Sequence, residues 1–216
     1  MPEQALDAIF FDLDGTLTDP KPGITRSIQY ALDKLGQQTI PTEDELTWCI
    51  GPPLRASFVK LLGEASADLA VSLYRERFSD IGLYENAVYA GVEDVLTALR
   101  QSGHRLFVAT SKAHVFADRI IDHFDLRRHF ERVFGAELDG TRADKSDLLA
   151  YALKTTSVDP SHAVMIGDRS HDMIGARNNG IKGIGVLYGY GSAQELTAAG
   201  ASHLCATPNA ILDWIS

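Results

Sequence analysis

The chain has 216 residues, of which 45% are hydrophobic and 23% charged, a size that suits one moderate domain or a core domain with a small insert. Its formal net charge of −9 argues against binding to a nucleic-acid polymer, and no apolar run approaches the roughly 20 residues that span a membrane. The acidic start MPEQALDA lacks the basic region of a secretory signal, and Cys49 and Cys205 are far apart without CxxC spacing. We therefore expect a cytoplasmic protein without a disulfide or a zinc site.

The N-terminal part of the chain combines one buried strand with a long helical region. The apolar segment AIFFD predicts the strand, and apolar residues at helical spacing after it predict an amphipathic helix that ends at Gly36. The segment PTEDEL carries a capping-box pattern, with Thr42 as N-cap and Glu45 three residues later. Two further helices are predicted at about 54–62 and about 67–79, and no strand is predicted between them.

Beyond Gly91, short apolar strands alternate with amphipathic helices. The predicted strands are, in chain order, RLFVATS, RVFGA, AVMIGD, GIGVLYG and SHLCA, and each is followed by a helix. Such alternation is typical of a parallel sheet covered by helices on both faces. We therefore predict an α/β protein with a Rossmann-like, doubly wound parallel sheet as its core domain, residues 1–19 and 86–216. A small all-helical cap domain, residues 20–85, is inserted after the first strand.

In open parallel sheets, ligands bind at the carboxyl ends of the strands. Asp12 and Asp14 follow the first strand, and because side chains alternate along a strand they point the same way, roughly 6–7 Å apart. Two carboxylates so placed can share a task, one attacking or binding metal while the other transfers protons, and Gly15 permits a sharp turn beside them. The alternative is that Asp14 and Gly15 form an ordinary turn and that Asp12 is the partner of a helix cap. The preceding apolar strand and the following Thr-Leu-Thr favour a functional site.

Two later segments add polar groups at the same edge. Thr110 and Ser111 end the strand RLFVATS, where they can hydrogen-bond a phosphate oxygen or cap the next helix. Lys145 opens a predicted helix and can either pair with an anion or lie on the surface. Taken together at successive strand ends, these residues favour an anion-binding site.

The segment GDRSHD follows a third strand and contains two carboxylates four residues apart. Asp168 and Asp172 can hold a cation together with Asp12, or they can form a turn and a helix cap. Magnesium-type ions prefer oxygen ligands and keep several waters, which suits two carboxylates plus a backbone carbonyl. A bound cation would also allow an acidic protein to accept an anionic substrate.

In this order, the motifs resemble those of the haloacid-dehalogenase superfamily of phosphohydrolases. DLDGTLTD is similar to its first motif, VATS to its second, Lys145 to its third and GDRSHD to its fourth, and the helical insert resembles its small cap. IGPPL and GVLYGYGS resemble the phosphoglycolate phosphatase-like branch, some relatives of which are 5′-nucleotidases. The chain departs from many relatives in having Ser111 rather than Asn, and KSDLL rather than Lys-Pro-x-Pro. Arg142 and Lys112 are therefore alternatives to Lys145 for the phosphate-facing cation, although we favour Lys145.

The resemblance implies a mechanism with an aspartyl-phosphate intermediate. Asp12 would attack the phosphorus of a phosphomonoester, while Asp14 would protonate the leaving alkoxide and then deprotonate the attacking water. Mg²⁺ would be held by Asp12, the backbone carbonyl of Asp14 and Asp168. Asp172 would orient a water bound to the ion.

The resemblance also implies groups that contact the phosphoryl group and the substrate. Lys145, the Thr110 hydroxyl and backbone amides near Gly15 would stabilise the transferring phosphoryl group. Thr16 and Ser111 are further candidates for substrate contact.

The predicted cap domain contains one candidate specificity residue. In IGPPLRASF, Arg55 can reach a substrate carboxylate or a second phosphate, or it can be a solvated residue after a helix break. Hinges near 19–22 and 85–91 would let the cap close over the substrate and exclude water.

The predicted function is that of an Mg²⁺-dependent phosphomonoesterase for a small phosphorylated metabolite, and the substrate is left open between phosphoglycolate, a nucleoside monophosphate and a phosphosugar. A phosphosugar mutase of the β-phosphoglucomutase type is an alternative, because it shares the aspartate pair and the cap. A phosphoacceptor signalling domain is a more distant one, since it lacks a cap and an equivalent of GDRSHD. Both a monomer and a homodimer are compatible with the sequence.

Overall fold

The computed structural model describes residues 6–215. The first five residues of the segment MPEQALDA and residue 216 therefore lie outside the described part. The strands are β1 (Ala8–Phe11), β2 (Thr18–Asp19), β3 (Ala87–Val88), β4 (Arg105–Ala113), β5 (Arg132–Ala136), β6 (Ala163–Gly167), β7 (Lys182–Val186) and β8 (His203–Cys205). The α-helices are α1 (Lys21–Lys34), α2 (Leu54–Leu62), α3 (Glu64–Asp80), α4 (Val92–Gln101), α5 (His114–His123), α6 (Lys145–Thr156), α7 (Ser170–Asn178) and α8 (Ala193–Ala199). Short 3₁₀ helices lie at Asp44–Cys49, Gly82–Tyr84, Arg127–His129, Pro160–His162 and Pro208–Trp214.

Six of the strands form one parallel sheet in the order β5-β4-β1-β6-β7-β8, which confirms the predicted α/β fold with a doubly wound core. β1 lies between β4 and β6, and all four of its residues are buried. Ile9 and Phe11 belong to one hydrophobic cluster, whereas Ala8 and Phe10 belong to a second. This alternation places a core on each face of the sheet, as the run of consecutive apolar residues in AIFFD predicts.

The region between β2 and β3 is helical, as predicted. α1 and α2 both pack against α3, through a cluster that includes Phe58, Tyr74 and Phe78. The predicted capping box is present, because the Glu45 N–H donates to the Thr42 hydroxyl (3.3 Å) and the Thr42 N–H donates to the Glu45 carboxylate (2.8 Å). The N-cap of the 3₁₀ helix Asp44–Cys49 is nevertheless Glu43, one residue after the predicted Thr42. No helix in the described chain has the length and apolarity that a membrane crossing requires.

A two-stranded antiparallel ribbon is present that the sequence does not predict. Thr18 of β2 pairs with Val88 of β3, and Asp19 pairs with Ala87. Two residues per strand are too few to produce a detectable alternation of apolar and polar side chains. The ribbon places the two predicted hinge segments, 19–22 and 85–91, side by side. The C-terminal segment NAILDWIS also differs from prediction, because its described residues form part of a 3₁₀ helix rather than an α-helix.

Gly23 marks the closest contact within the helical region. A Cβ atom there would overlap the carbonyl oxygen of Gly82 and approach that of Glu85 to 2.9 Å. We expect Gly23→Ala to lower the free energy of unfolding by about 1–3 kcal/mol despite the better helix propensity of alanine, because backbone atoms cannot move aside easily. Urea unfolding measures this. Asp33→Ala, at an exposed position of the same helix, should stay within about 0.5 kcal/mol of wild type. Equal effects of the two substitutions would contradict the packing argument.

Candidate active site

The predicted site residues converge at the carboxyl edge of the sheet. Asp12 and Asp14 follow β1, Thr110 lies in β4, and Asp168 follows β6. Lys145 is the first residue of α6. These five side chains are all buried, as is that of a further predicted residue, the aspartate at position 172 in α7. Burial of so many ionisable groups is costly unless each is paired or binds a ligand.

Three of the carboxylates form a cluster suited to a cation. Oxygen atoms of Asp12, Asp168 and Asp172 lie within 4.8 Å of one another. Burial, together with the negative charges of Asp172 and Asp12, raises the pKa of Asp168 well above its ordinary value. The Asp168 carboxylate is oriented by the Tyr190 backbone N–H at 2.8 Å and by the Thr16 hydroxyl at 3.3 Å. The cluster therefore has a fixed geometry and an excess of negative charge.

Lys145 is the cationic centre of this cluster. Its ammonium group lies 2.7 Å from Asp172 Oδ1 and 3.1 Å from Asp12 Oδ1, and it donates to the Ala109 carbonyl oxygen at 2.8 Å. Burial opposes its charge, but the neighbouring Asp12 and Asp172 carboxylates raise the pKa of Lys145. Burial also raises the pKa of Asp172 to about 6, with Lys145 acting in the opposite direction. Asp172 Oδ2 accepts the Arg169 backbone N–H at 3.1 Å, at the start of α7.

Asp14 occupies a separate environment from Asp12. Its Oδ2 atom lies 2.8 Å from Lys112 Nζ, whereas its Oδ1 atom is buried and has no hydrogen-bond partner in the described chain. Burial raises the pKa of Asp14, and the Lys112 charge partly offsets this increase. The two aspartates of the DLD segment thus have different lysine partners.

Glycines allow the backbone to approach Asp168 closely. Gly15 has φ +84°, and a Cβ atom there would overlap the Asp168 carboxylate. In the loop after β7, a Cβ atom on Gly189 would overlap Gly15 O and Asp168 Cβ, and one on Gly191 would overlap Asp168 O. The segment GYG therefore has a local reason for its composition: it packs directly on this carboxylate.

The predicted phosphate- and substrate-contacting residues are only partly brought together. Thr110 and Ser111 line the cavity described below, and the Thr110 hydroxyl accepts the Lys112 backbone N–H at 3.2 Å. Thr16 differs from the prediction, because its side chain is fully buried, donates to Asp168 and does not line the cavity. Arg142 does not line the cavity: it pairs with Glu137, which does, and its guanidinium carbon lies 4.4 Å from the Tyr151 ring centroid.

A cavity of about 330 Å³ opens above Asp12 and Asp14, between the helical region and the sheet edge. Its walls combine charged residues with apolar side chains from α2, α3 and α5, including Leu54, Val71, Tyr74, Phe78 and Phe116. Arg55 lines the cavity but is half exposed, and its guanidinium is already paired with Glu64 at 2.9 Å and Asp68 at 2.8 Å. The predicted contact of Arg55 with substrate remains a prediction.

The sequence does not predict two contacts at the site, that of Lys112 with Asp14 and that of the Tyr190 loop with Asp168. The sequence presents Lys112 only as an alternative phosphate ligand and gives no sign of its contact with Asp14. The loop containing Tyr190 is visible in the sequence only as a family resemblance. Its paired glycines, Gly189 and Gly191, are the available signal, because glycines permit close backbone contact with another group.

The donor set fits a hard divalent cation such as Mg²⁺. Four buried carboxylates face two buried ammonium groups, which leaves an excess of two negative charges if all are ionised. The clustered atoms of Asp12, Asp168 and Asp172 are all oxygens, as magnesium requires. A divalent ion would balance this charge.

The site lies at the carboxyl edge of a doubly wound sheet, where α/β proteins bind their ligands. The chain belongs to the haloacid dehalogenase-like hydrolase family, whose model matches residues 9–186. The predicted family is therefore confirmed.

Individual relatives span two reaction types. A 5′-nucleotidase of Pseudomonas aeruginosa is 51% identical over 92% of this chain and 90% of its own length. The tyrosine-protein kinase PtkA of Mycobacterium tuberculosis is 43% identical over 89% of this chain and 66% of its own length. A phosphoglycolate phosphatase of Caulobacter vibrioides is 34% identical over 84% and 79%, respectively.

A solved structure extends the similarity to the whole fold. The crystal structure of a predicted phosphatase from Clostridium acetobutylicum has a TM-score of 0.95 at 39% identity, covering 98% of this chain and 99% of that one. Membership of a hydrolase family, together with phosphatase relatives, confirms the predicted enzyme class, a phosphatase.

Gly15 is expected to control cation binding. In Gly15→Ala, the added methyl group would displace the Asp168 carboxylate, so we expect Mg²⁺ affinity, measured by isothermal titration calorimetry, to fall by at least about 10-fold. Gly103→Ala is the matched control, because Gly103 has φ +91° but no neighbouring atom within 4 Å of the position that the added methyl group would occupy. The control should lose stability yet keep its Mg²⁺ affinity. An unchanged affinity in Gly15→Ala would contradict the assignment of Asp168 to the cation.

The raised pKa of Asp168 gives a pH-dependent stability. The folded, metal-free protein holds this proton more tightly than the unfolded chain, so the Asp168 contribution to stability declines as pH rises above the ordinary pKa of 3.8. In the presence of chelator, Asp168→Asn should therefore gain stability relative to wild type between pH 5 and pH 8, measured by urea unfolding. Millimolar Mg²⁺ should reduce or reverse this gain. A stability difference that is independent of pH would contradict the argument.

Proposed function

We propose that the protein is an Mg²⁺-dependent phosphomonoesterase that hydrolyses small phosphorylated metabolites through an aspartyl-phosphate, with nucleoside 5′-monophosphates as the first candidate substrates. One observation carries the proposal: two buried aspartates at the floor of one cavity each have their own lysine. Lys145 contacts Asp12, and Lys112 contacts Asp14. Separate partners suit separate roles in one reaction.

Asp12 is the proposed nucleophile. Its Oδ1 atom accepts the Leu13 backbone N–H at 2.7 Å and contacts Lys145, which leaves its second oxygen for attack on phosphorus. The new bond joins that oxygen to phosphorus, and the bond from phosphorus to the alcohol oxygen breaks. Lys145 orients the nucleophile, and together with the Thr110 hydroxyl it would stabilise charge on the phosphoryl group.

Asp14 is the proposed acid and base. Its raised pKa favours a protonated carboxyl group that can donate to the departing alkoxide. The resulting carboxylate then accepts a proton from the water that attacks the aspartyl-phosphate, which releases phosphate and restores both aspartates.

Asp12, Asp168 and the backbone carbonyl of Asp14 would hold Mg²⁺, with Asp172 orienting one of its waters. When bound, the ion would neutralise negative charge on the phosphoryl oxygens. The contacts of Tyr190 and Thr16 with Asp168 would keep this ligand in place.

Two observations favour a nucleoside 5′-monophosphate. The relative that is 51% identical is a 5′-nucleotidase and covers nearly the whole chain. The cavity volume of about 330 Å³ lies within the usual range for small-molecule sites, about 300–1,000 Å³, and its aromatic and aliphatic walls suit a nucleobase.

Phosphoglycolate is the second candidate. It is favoured by Arg75 of α3, which lines the cavity and donates to the Leu138 carbonyl oxygen at 2.9 Å but forms no ion pair in the described chain. Its guanidinium is therefore available for a substrate carboxylate, more so than that of the paired Arg55. The Caulobacter relative supports the same substrate.

We further propose that residues 20–85 form a cap domain on a core of residues 1–19 and 86–216. The adjacent strands β2 and β3 would serve as its hinge, and α2 and α3 would supply the residues that select the substrate.

A panel of phosphomonoesters tests the proposal. With Mg²⁺, free phosphate should be released from nucleoside 5′-monophosphates with a kcat/KM at least about 10-fold above that for phosphoglycolate, and chelator should abolish release. Asp12→Asn should lower kcat by at least about 10³-fold, because the nucleophile is lost. Asp147→Asn, which removes an exposed carboxylate at the start of α6, is the control and should retain wild-type rates.

Three outcomes would contradict parts of the proposal. Near-wild-type turnover by Asp12→Asn would exclude it as nucleophile. A preference for phosphoglycolate would support the second substrate instead. Isomerisation of a phosphosugar without release of phosphate would indicate the mutase alternative.

A further inference from the structure

Lys112 contacts the proposed acid rather than the proposed nucleophile. It lies at the end of β4, two residues after Thr110, and its Nζ atom is 2.8 Å from Asp14 Oδ2. The side chains of Lys112 and Asp14 are only 7% and 8% exposed, respectively. Lys112 Nζ can donate to Oδ2 both when Asp14 is ionised and when it carries a proton on Oδ1, and a contact removed from water holds its partners more strongly than a surface contact does.

The pair leaves one oxygen of Asp14 for the reaction. Oδ2 is held by Lys112, whereas Oδ1 is buried, makes no hydrogen bond within the described chain, and belongs to a residue that lines the cavity. Proton transfer from Oδ1 would therefore leave the contact between Oδ2 and Lys112 intact.

Lys112 is itself restrained by the sheet and by the helical region. Its backbone N–H donates to the Thr110 hydroxyl at 3.2 Å, and its ammonium lies 4.5 Å from the ring centroid of Phe78 in α3. The cation–π contact orients the ammonium and helps to exclude water from the pair.

We propose that Lys112 is a positioning residue that orients Asp14 for proton transfer to the leaving group, an inference that rests on the acid role of Asp14 in the proposed function. Loss of Lys112 leaves the Asp14 carboxyl group free to rotate away from the leaving oxygen. The loss of kcat/KM must then depend on how strongly departure of the leaving group requires protonation. An alkoxide needs a proton, whereas p-nitrophenolate departs readily without one.

The test compares kcat/KM for a nucleoside 5′-monophosphate and for p-nitrophenyl phosphate. Lys112→Met should lower the first by about 10²-fold, in the range of general acid catalysis, and the second by less than about 5-fold. Lys112→Arg, which restores the charge, should recover most of the loss. Lys60→Met is the matched control: Lys60 also packs on an aromatic ring, 4.0 Å from the Trp48 centroid, but lies outside the cavity lining, so neither substrate should be affected.

Asp14→Asn separates failure of this inference from failure of the proposed function. Asp14→Asn should also lower kcat/KM more for the nucleoside 5′-monophosphate than for p-nitrophenyl phosphate. Adding Lys112→Met to Asp14→Asn should lower kcat/KM by less than about 2-fold further, because both substitutions abolish the same proton transfer. Equal losses of Lys112→Met on both substrates, beside a leaving-group-dependent Asp14→Asn, would overturn the positioning role alone. If the loss in Asp14→Asn does not depend on the leaving group, the acid role of Asp14 is wrong, and the positioning role of Lys112 is then wrong as well. Thermal unfolding of each variant confirms that it is folded.

Discussion

The buried excess of negative charge at the carboxyl edge of the sheet is the constraint on which the rest of the site depends. Asp12, Asp14, Asp168 and Asp172 are almost wholly removed from water, and among the described residues two lysines form ion pairs with members of this set. Isolated carboxylates in such a place would take up protons or destabilise the fold. The surrounding structure supplies specific compensation through ammonium groups, backbone N–H donors and a set of oxygens suited to a divalent cation.

The two lysines contact different carboxylates of this group. Lys145 lies between Asp12 and Asp172 and contacts one oxygen of each. Lys112 contacts only one oxygen of Asp14, which otherwise has a poorly solvated environment that favours a proton. Two aspartates only two positions apart in the chain thereby have different surroundings, because β4 brings Lys112 to Asp14 and α6 brings Lys145 to Asp12.

Local patterns are enough to predict most of the elements and the aspartates of the site. The apolar run AIFFD and the alternation of strands and helices beyond Gly91 depend on residues close in sequence, and these predictions are confirmed. The hydrogen bonds predicted between Thr42 and Glu45 are also present, although the N-cap itself is Glu43. The position of Asp12 and Asp14 after β1 follows from the same local pattern. The roles assigned to them remain proposals.

What the sequence could not supply are contacts between distant segments. The side chain of Thr16 is directed to Asp168, 152 positions away, rather than to the cavity, and no periodicity encodes this. The same holds for Lys112 and Asp14, and for the Tyr190 N–H on Asp168. The ribbon of β2 and β3 escapes prediction because two-residue strands depend wholly on their pairing partner.

The ribbon of β2 and β3 also determines where the helical region can change in length. The chain leaves the sheet region through Thr18 and returns through Val88, and these residues are paired neighbours. Everything inserted between them begins and ends at a single point, so its length and architecture can change without any change in the strand order of the core. The helical region can thus be lengthened or replaced while the parallel sheet and the residues at its carboxyl edge stay unchanged.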